Sequence, residues 1–177
     1  MDPSLGAAAV LDEAAIAMLR ATVPDLFRYA SRLTGGDRWL AEDLVQEACL
    51  ALVRQGQGGA DAGDVTAGWL VVVVRRRYLD HLRRTQREKR RLRLAGVSEE
   101  SADEVDADWQ AVSGVEALAL LGEIPADQRV ALVLRYVDDL PVREVAALLQ
   151  RSVAATESLL ARGRRELARR VKGGGNG

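Results

Sequence analysis

The chain has 177 residues, of which 48% are hydrophobic and 29% charged, so it has enough apolar material for one ordinary domain or two small ones. Only 4% of the residues are aromatic and four are prolines, a composition typical of packed helices, and we expect an all-α protein. The single cysteine, Cys49, excludes an internal disulfide, and in the absence of a cysteine or histidine cluster we predict no metal site and no cofactor.

Neither of the two apolar segments has the features of an export signal or a membrane span. Met1–Val10 lacks the basic start of a secretory signal. The run Leu70–Val74 is far too short to cross a bilayer. We therefore expect a cytoplasmic protein without membrane insertion.

Charge is segregated along the chain, although the formal net charge is only −1. Ten Lys or Arg against two acids give Arg75–Arg93 a net charge of +8, and nine acids give Ser98–Asp127 a charge of −9. Arg151–Lys172 is basic again, at +5. Because the near-zero net charge is the sum over two basic segments and one acidic segment, it does not exclude a polyanionic partner.

Helical spacing of apolar residues predicts the elements of the N-terminal half. A first helix opens near Leu11, and Pro24 stands where a second helix would begin and run to about Leu33. Asp37 is the predicted N-cap of a third helix, Arg38–Arg54. Steps of three and four place two sets of residues on different faces of that helix: Leu40, Leu44, Ala48 and Leu52 on one, and Glu42, Asp43, Gln46 and Glu47 on another.

A long helix is predicted from about Thr66 to Leu94, after the Gly-rich loop Gln55–Gly63. Its start, Trp69–Val74, could equally be a buried strand, because it is short and β-branched. An apolar series in steps of four favours the helix, since a strand would alternate: Leu70, Val74, Tyr78 and Leu82.

The segment Ala95–Val112 is rich in acids and has only Trp109 as a large apolar group, which predicts a flexible linker between two domains. The expected elements after it are four helices and a flexible tail: Val115–Leu121, Pro125–Tyr136, Pro141–Leu149, Val153–Val171 and Gly173–Gly177.

The last two helices have the lengths of a helix-turn-helix, whose second helix lies in the DNA major groove. A plain helical hairpin has the same lengths. Six arginines favour DNA, because clustered cations release counterions from phosphates: Arg151, Arg162, Arg164, Arg165, Arg169 and Arg170.

Three interpretations fit the basic segment Arg75–Arg93: a solvated helix face, an anionic membrane surface, or nucleic acid. A net +8 repels itself unless a polyanion neutralises it, and the segment adjoins an apolar face, so nucleic acid is favoured. Beyond Leu82 only Leu92 and Leu94 are bulky and apolar, which argues against a membrane.

No arrangement of residues predicts catalysis. His81 is the only histidine, and no Ser or Cys is placed as its partner. Glu42, Asp43 and Glu47 have no pocket marked around them. We therefore predict that the chain is not an enzyme.

Two motifs carry a family resemblance: Arg32–Gly35, with the sequence RLTG, and Ala41–Ala48, with the sequence AEDLVQEA. Together with the elements that follow, they resemble the sigma-70 family of RNA polymerase sigma factors, in the extracytoplasmic-function class that keeps only regions two and four. The resemblance implies that the third helix binds the coiled coil of the largest subunit of bacterial core RNA polymerase through Glu42, Asp43, Leu44, Gln46 and Glu47.

The segments Trp69–Leu70 and Tyr78–Arg84 are similar to the promoter-melting helix of the family, which reads the minus-ten element. Arg76 stands where members commonly carry Asn. The resemblance implies DNA contacts from eight residues: Arg75, Arg76, Arg77, Asp80, His81, Arg83, Arg84 and Arg87.

The segment Ile124–Arg129 resembles the start of region four, and Glu144–Arg165 its helix-turn-helix. Gln150 replaces the usual turn Gly, and Glu157 and Leu159 remove two cations from the expected reading face. Two interpretations follow. Either the chain reads a different minus-thirty-five element, in which Glu157 accepts a hydrogen bond from a cytosine amino group, or region four contributes less to promoter recognition. The implied minus-thirty-five contacts are Arg151, Ser152, Ala155, Thr156, Glu157, Ser158, Arg162 and Arg165.

The resemblance also implies domain bounds and partners. Residues 1–94 correspond to region two, 95–112 to the linker, 113–172 to region four and 173–177 to the tail. In the family the linker threads toward the polymerase active-site cleft. Its negative charge either mimics the RNA transcript there or only keeps a spacer segment solvated. The implied partners are core polymerase, including the flap of its second-largest subunit, promoter DNA and, as a candidate, an anti-sigma factor. The alternative function is a stand-alone helix-turn-helix regulator that binds duplex DNA by itself.

Overall fold

The computed structural model describes residues 13–57, 66–93 and 120–174 of the chain. Over these ranges it is all-α, as predicted, and holds no strand. The first half contains α1 (Glu13–Thr34), α2 (Arg38–Gln57) and α3 (Ala67–Arg93). The second half begins with helical residues 120–122 and continues with α4 (Ala126–Leu132), a π-helical turn (Val133–Val137), α5 (Val142–Leu149) and α6 (Val153–Gly174).

Helix α1 corrects the prediction of two helices that meet at Pro24. Pro24 lies inside one continuous helix, on its exposed side. A proline in a helix interior removes one backbone hydrogen bond, at a cost of about 3 kcal/mol. The helix continues because its apolar face does, with Leu19 and Val23 packed against the core before the proline and Leu26 fully buried after it.

The predicted starts of α2 and α3 agree with the structure. The backbone N–H of Leu40 donates to Asp37 Oδ1 at 3.1 Å, which confirms Asp37 as the N-cap of α2. Trp69 N–H donates in the same way to Thr66 Oγ1 at 3.3 Å. The helix is confirmed over the strand at Trp69–Val74, and the four apolar residues that favoured it are all buried: Leu70, Val74, Tyr78 and Leu82.

The helix predicted over Pro125–Tyr136 changes its winding near the end. After α4 the chain forms a π-helical turn, in which Asp138 N–H donates to the Val133 carbonyl at 3.1 Å. A π turn holds an extra residue per turn, so the chain leaves the helix at a different angle. Val133 and Leu134 both remain buried, while Asp138 follows the turn directly.

The helix-turn-helix is formed by α5 and α6. Gln150 ends α5 in the left-handed conformation, with φ 55°, which a turn glycine would adopt without strain. Ser152 then caps α6, because its Oγ accepts from Ala155 N–H at 3.1 Å.

Helix α6 ends later than predicted. It runs to Gly174, past the expected end at Val171. A helix end leaves four carbonyls without an intrahelical partner, and the N–H groups of further residues can still bond to them. Residues 175–177, the predicted linker 95–112 and most of the helix predicted at Val115–Leu121 lie outside the described residues.

The two halves are in contact and share one cluster of buried apolar side chains. Arg129, at the centre of this contact, is only 8% exposed. Its Nε donates to the Leu33 carbonyl of α1 at 3.0 Å, and its Nη1 to the Leu121 carbonyl at 2.9 Å. Gly35 and Gly122 meet backbone to backbone, since a Cβ added at Gly122 would lie 2.7 Å from the Gly35 carbonyl oxygen.

Candidate protein-binding and nucleic-acid surfaces

Helix α2 carries an acidic face, which we define as Glu42, Asp43, Gln46 and Glu47. Asp43 and Gln46 are exposed, whereas Glu42 and Glu47 are half-buried. Glu42 accepts from Arg38 Nε at 2.8 Å, and Glu47 from Arg77 Nε of α3 at 3.1 Å. These are surface ion pairs, which contribute little to stability and can be exchanged for a partner's charges.

Leu44 does not lie on this face. It is 3% exposed and packs in the core together with Ala48 and Leu52, so it supports α2 from beneath and has no surface to offer a partner. The prediction that Leu44 contacts polymerase is therefore not supported by its position. The prediction came from the motif Ala41–Ala48, which contains both buried and exposed residues.

Two large apolar residues beside the acidic face were missed in the sequence. Trp39 is 82% exposed and Leu50 is 51% exposed. Both share a face of α2 with Asp43 and Gln46, at spacings of four, three and four residues. The same spacing rule that grouped the acids could have found them. An exposed tryptophan beside charged groups is typical of a protein-binding surface.

The predicted DNA residues of α3 fall into two groups. Arg76, His81, Arg84 and Arg87 are exposed, and the three arginines carry no ion pair within the described residues. His81 stacks on Tyr78, with ring centroids 6.5 Å apart. The side chains of Lys89, Arg90, Leu92 and Arg93 lie outside the described part of the chain.

The second group is paired with other side chains of the protein. Arg77 pairs with Glu47, as given above, and Arg83 Nη1 pairs with Asp80 at 2.7 Å. Arg75 Nη1 lies 3.2 Å from Asp138 Oδ2 in the second half of the chain. Among the predicted DNA residues of α3, these contacts leave Arg76, Arg84 and Arg87 as the cations most open to a polyanion.

Residues predicted to read the minus-thirty-five element are only partly on the surface. Glu157 and Ser158 are exposed, and Ala155 and Arg162 are half-buried. Thr156 is completely buried, with its hydroxyl donating to the Ser152 carbonyl at 2.9 Å, and Arg165 is 6% exposed, so neither presents a side chain to DNA in this conformation.

The expected reading face also needs a correction at Leu159. Leu159 is 1% exposed and belongs to the core, so it does not replace a cation on that face. Helical periodicity explains this, because Thr156, Leu159, Leu160 and Gly163 lie three or four residues apart on the side that faces α4.

Most arginines of the basic segment Arg151–Lys172 bond within the second half. Arg151 pairs with Asp127 at 3.2 Å, and Arg164 donates to the Tyr136 hydroxyl at 3.1 Å. Arg170 bonds to Glu123 and Glu166. The segment therefore offers fewer open cations than its net charge suggests.

Burial raises the pKa of Tyr29 and of Cys49, which lie outside the two surfaces described above. Burial raises the pKa of Tyr29 far above its ordinary value, and the nearby Asp138 carboxylate adds to that effect. The Tyr29 hydroxyl therefore stays protonated and donates to Asp138 Oδ2 at 2.9 Å. Burial also raises the pKa of the Cys49 thiol, which makes it a weak nucleophile and fits a packing role.

The described residues hold no group of three or more His, Cys, Asp or Glu side chains arranged for a metal ion. Over the same part of the chain, no helix has the length and apolar character needed to cross a membrane.

Two family models match the chain: sigma-70 region 2 over residues 18–88 and sigma-70 region 4 over residues 115–167. The chain is 31% identical over 143 residues to the probable ECF RNA polymerase sigma factor SigI of Mycobacterium tuberculosis, covering 75% of this chain and 47% of that protein. It is 28% identical over 158 residues to the ECF RNA polymerase sigma factor SigE of Mycolicibacterium smegmatis, covering 85% of this chain and 58% of that protein. The chain thus spans about half the length of the curated relatives it matches.

A solved structure is also similar, that of the sigma factor RpoE in complex with the anti-sigma factor NepR from Bartonella quintana. The TM-score is 0.54 at 24% identity, and the match covers 91% of this chain and 98% of that chain. At this identity the likeness bears on the fold alone.

Proposed function

This chain belongs to the sigma-70 family, in its extracytoplasmic-function class, and we propose that it binds core RNA polymerase and directs transcription from a specific set of promoters. It would act in the cytoplasm as a subunit of the polymerase, with no catalytic activity of its own. The observation that carries this proposal is the exposed acidic face of α2, which lies in the part of the chain matched by region 2.

The acidic face is suited to a basic helical partner. Asp43 and Gln46 point outward from a helix that is fixed by the buried Leu44, Ala48 and Leu52, so the face is rigid before binding. Trp39 and Leu50 flank the polar groups and can exclude water from them. We therefore propose that this face binds the coiled coil of the largest polymerase subunit, with Trp39 as an additional contact.

Helix α3 is proposed to open and read the minus-ten region. Its exposed arginines attract the phosphate backbone, and positions three and four residues apart along one face can follow a single strand. Arg76 and Arg84 lie eight residues apart on this face, about two helical turns.

The second half is proposed to bind the flap of the second-largest subunit and to contribute less to promoter recognition. Thr156, Leu159 and Arg165 are buried, and Glu157 stands exposed near the start of α6, where it would oppose phosphate. We propose one exception to this smaller contribution: Glu157 accepts a hydrogen bond from a cytosine amino group of the promoter.

An anti-sigma factor is a further proposed partner. The similar RpoE was solved in complex with such a protein. A stand-alone helix-turn-helix regulator is less well supported, because region 2 accounts for most of the first half of this chain.

Replacing Arg76 and Arg84 together by Ala is expected to slow promoter opening by the assembled polymerase about 10- to 100-fold, since two cations that touch the melted strand are lost. Opening is measured by permanganate reactivity of promoter thymines. Affinity for core polymerase, measured by fluorescence anisotropy, should not change.

The matched control removes two exposed arginines of another helix, Arg20 and Arg28 of α1. It should open promoters at the wild-type rate. Wild-type opening by the Arg76→Ala, Arg84→Ala variant would contradict the proposed role of α3.

A further inference from the structure

Helix α3 exposes one apolar side chain on a surface that is otherwise polar. Val72 is 46% exposed and is the only exposed large hydrophobic residue in the described part of α3. From Arg76 onward, every exposed residue in the described part of this helix is charged or polar. A lone exposed valine is ordinary on a protein surface. Here, however, it interrupts the surface that is proposed to meet a melted DNA strand.

The direction of the Val72 side chain is fixed by its buried neighbours. Leu70 and Val74, two residues before and two residues after it, are both 0% exposed. Residues two apart in an α-helix lie about 200° apart around the axis, so Val72 points away from the core. The start of the helix is also held, because Trp69 N–H donates to Thr66 Oγ1 at 3.3 Å. Val72 is therefore presented by a rigid helix and not by a loop.

Two residues one turn away from Val72 define what it can touch. Trp69, three residues earlier, is half-buried and packs against the core. Arg76, four residues later, is exposed and carries no ion pair within the described residues. Four residues rise about 6 Å along a helix. A strand whose phosphate lies on Arg76 would thus bring a base edge close to Val72.

The chemistry of valine selects among the groups that DNA offers. Its side chain has no hydrogen-bond donor or acceptor, so it can bind neither a phosphate nor the polar edge of a base. Thymine alone among the four bases carries an apolar group on its edge, the 5-methyl group. A protein partner would be expected to meet a cluster of apolar anchors. The described part of α3 exposes only this one.

From this arrangement we infer that Val72 is a specificity-determining residue, which packs against the 5-methyl group of a thymine in the melted strand while Arg76 binds the backbone beside it. The inference rests on the proposed function, because it assumes that α3 meets the melted strand. It adds a base preference at one position. The arginines alone do not provide this preference, since phosphate contacts carry no sequence information.

Replacing thymine by uracil removes only the methyl group, which makes it a direct test. Each thymine in the melted region of a promoter opened by the assembled polymerase is replaced in turn by deoxyuridine, and the affinity of the polymerase for that promoter is measured. One position should show binding about threefold to fivefold weaker with uracil, because one methyl contact is lost. In Val72→Ala, the loss at that position should fall below about twofold.

Two variants serve as controls. Val72→Ile keeps a branched apolar side chain and should retain the loss caused by uracil. Val171→Ala removes the same side chain from a position in α6 that is also 46% exposed, and it should behave as wild type. A wild-type complex that tolerates uracil at every position would overturn the inference. A loss that persists undiminished in Val72→Ala would overturn it as well.

A second measurement separates this inference from the proposed function, since it uses the free full-length chain and no polymerase. Fluorescent oligothymidine and oligodeoxyuridine of equal length are titrated at low salt, where phosphate contacts are strongest. Wild type should bind oligothymidine about twofold to fivefold more tightly, and Val72→Ala should bind the two equally. Equal affinities in wild type would overturn the methyl contact. Failure of the proposed function would appear elsewhere, as a chain that directs no transcription.

Discussion

Reversing two charges on the acidic face of α2, with Asp43→Lys and Glu47→Lys together, is expected to weaken binding to core RNA polymerase about 100-fold. Both side chains lie on the surface, so the change places cations where the proposed partner also carries cations. Glu47 gives up its pair with Arg77 at 3.1 Å. That pair is more than 40% exposed at both ends and contributes at most about 1 kcal/mol, so the helix bundle should survive.

Binding is measured by fluorescence anisotropy of the labelled chain titrated with core polymerase. The matched control is Glu13→Lys with Asp25→Lys, two exposed acids of α1, which changes the net charge equally on another part of the same half. It should bind within about twofold of wild type, since surface charges away from an interface act mainly through weak long-range fields. Wild-type affinity of the α2 variant would show that another surface binds polymerase.

Replacing Arg129 by Lys is expected to lower the free energy of unfolding by about 2–4 kcal/mol, although the positive charge is kept. The guanidinium lies within hydrogen-bond distance of four backbone carbonyls, those of Leu33, Leu121, Gly122 and Ile124, at 3.0, 2.9, 3.3 and 3.5 Å. An ammonium group is a single point that cannot reach carbonyls on both sides of the contact. Some of these buried acceptors would then lack a donor.

The loss is measured by urea unfolding followed by circular dichroism. Arg135→Lys is the control, because Arg135 is half-exposed and pairs with Asp139, whose side chain is 95% exposed. It should change the free energy of unfolding by less than about 0.5 kcal/mol. Equal stabilities of the two variants would mean that the Arg129 contacts contribute little to holding the halves together.

Local pattern was sufficient to predict most helices. The apolar series at steps of four in α3 runs from Leu70 into the charged segment, and all of its members are buried. Asp37 caps α2 because its side chain needs only the backbone N–H three residues ahead. Such signals act over one or two turns, so a single sequence contains them in full.

The features that could not be predicted depend on distant parts of the chain. Pro24 stays inside a helix because the core on both sides of it is continuous, which a local breaker rule does not see. The contact between the halves joins Tyr29 to Asp138, 109 residues apart, and Arg129 to Leu33, 96 residues apart. Nothing in the periodicity of either segment specifies the other.

Predictions for the candidate site also divide into those that follow from local spacing and those that do not. Asp43 and Gln46 are exposed as the helical spacing requires. Leu44, Thr156 and Arg165 were carried over from motifs, and the structure buries all three. Trp39 was overlooked because it precedes the motif, although it lies four residues before Asp43 on the same face.

The central claim, that this chain gives core polymerase its promoter specificity, is tested most directly by transcription in vitro from a genomic DNA library, with purified core polymerase in the presence and absence of the chain. Transcripts that begin at a limited, shared set of sites only when wild-type chain is present are the expected result, and they should be lost with Asp43→Lys, Glu47→Lys. The same pattern of transcripts with and without the chain would contradict the claim.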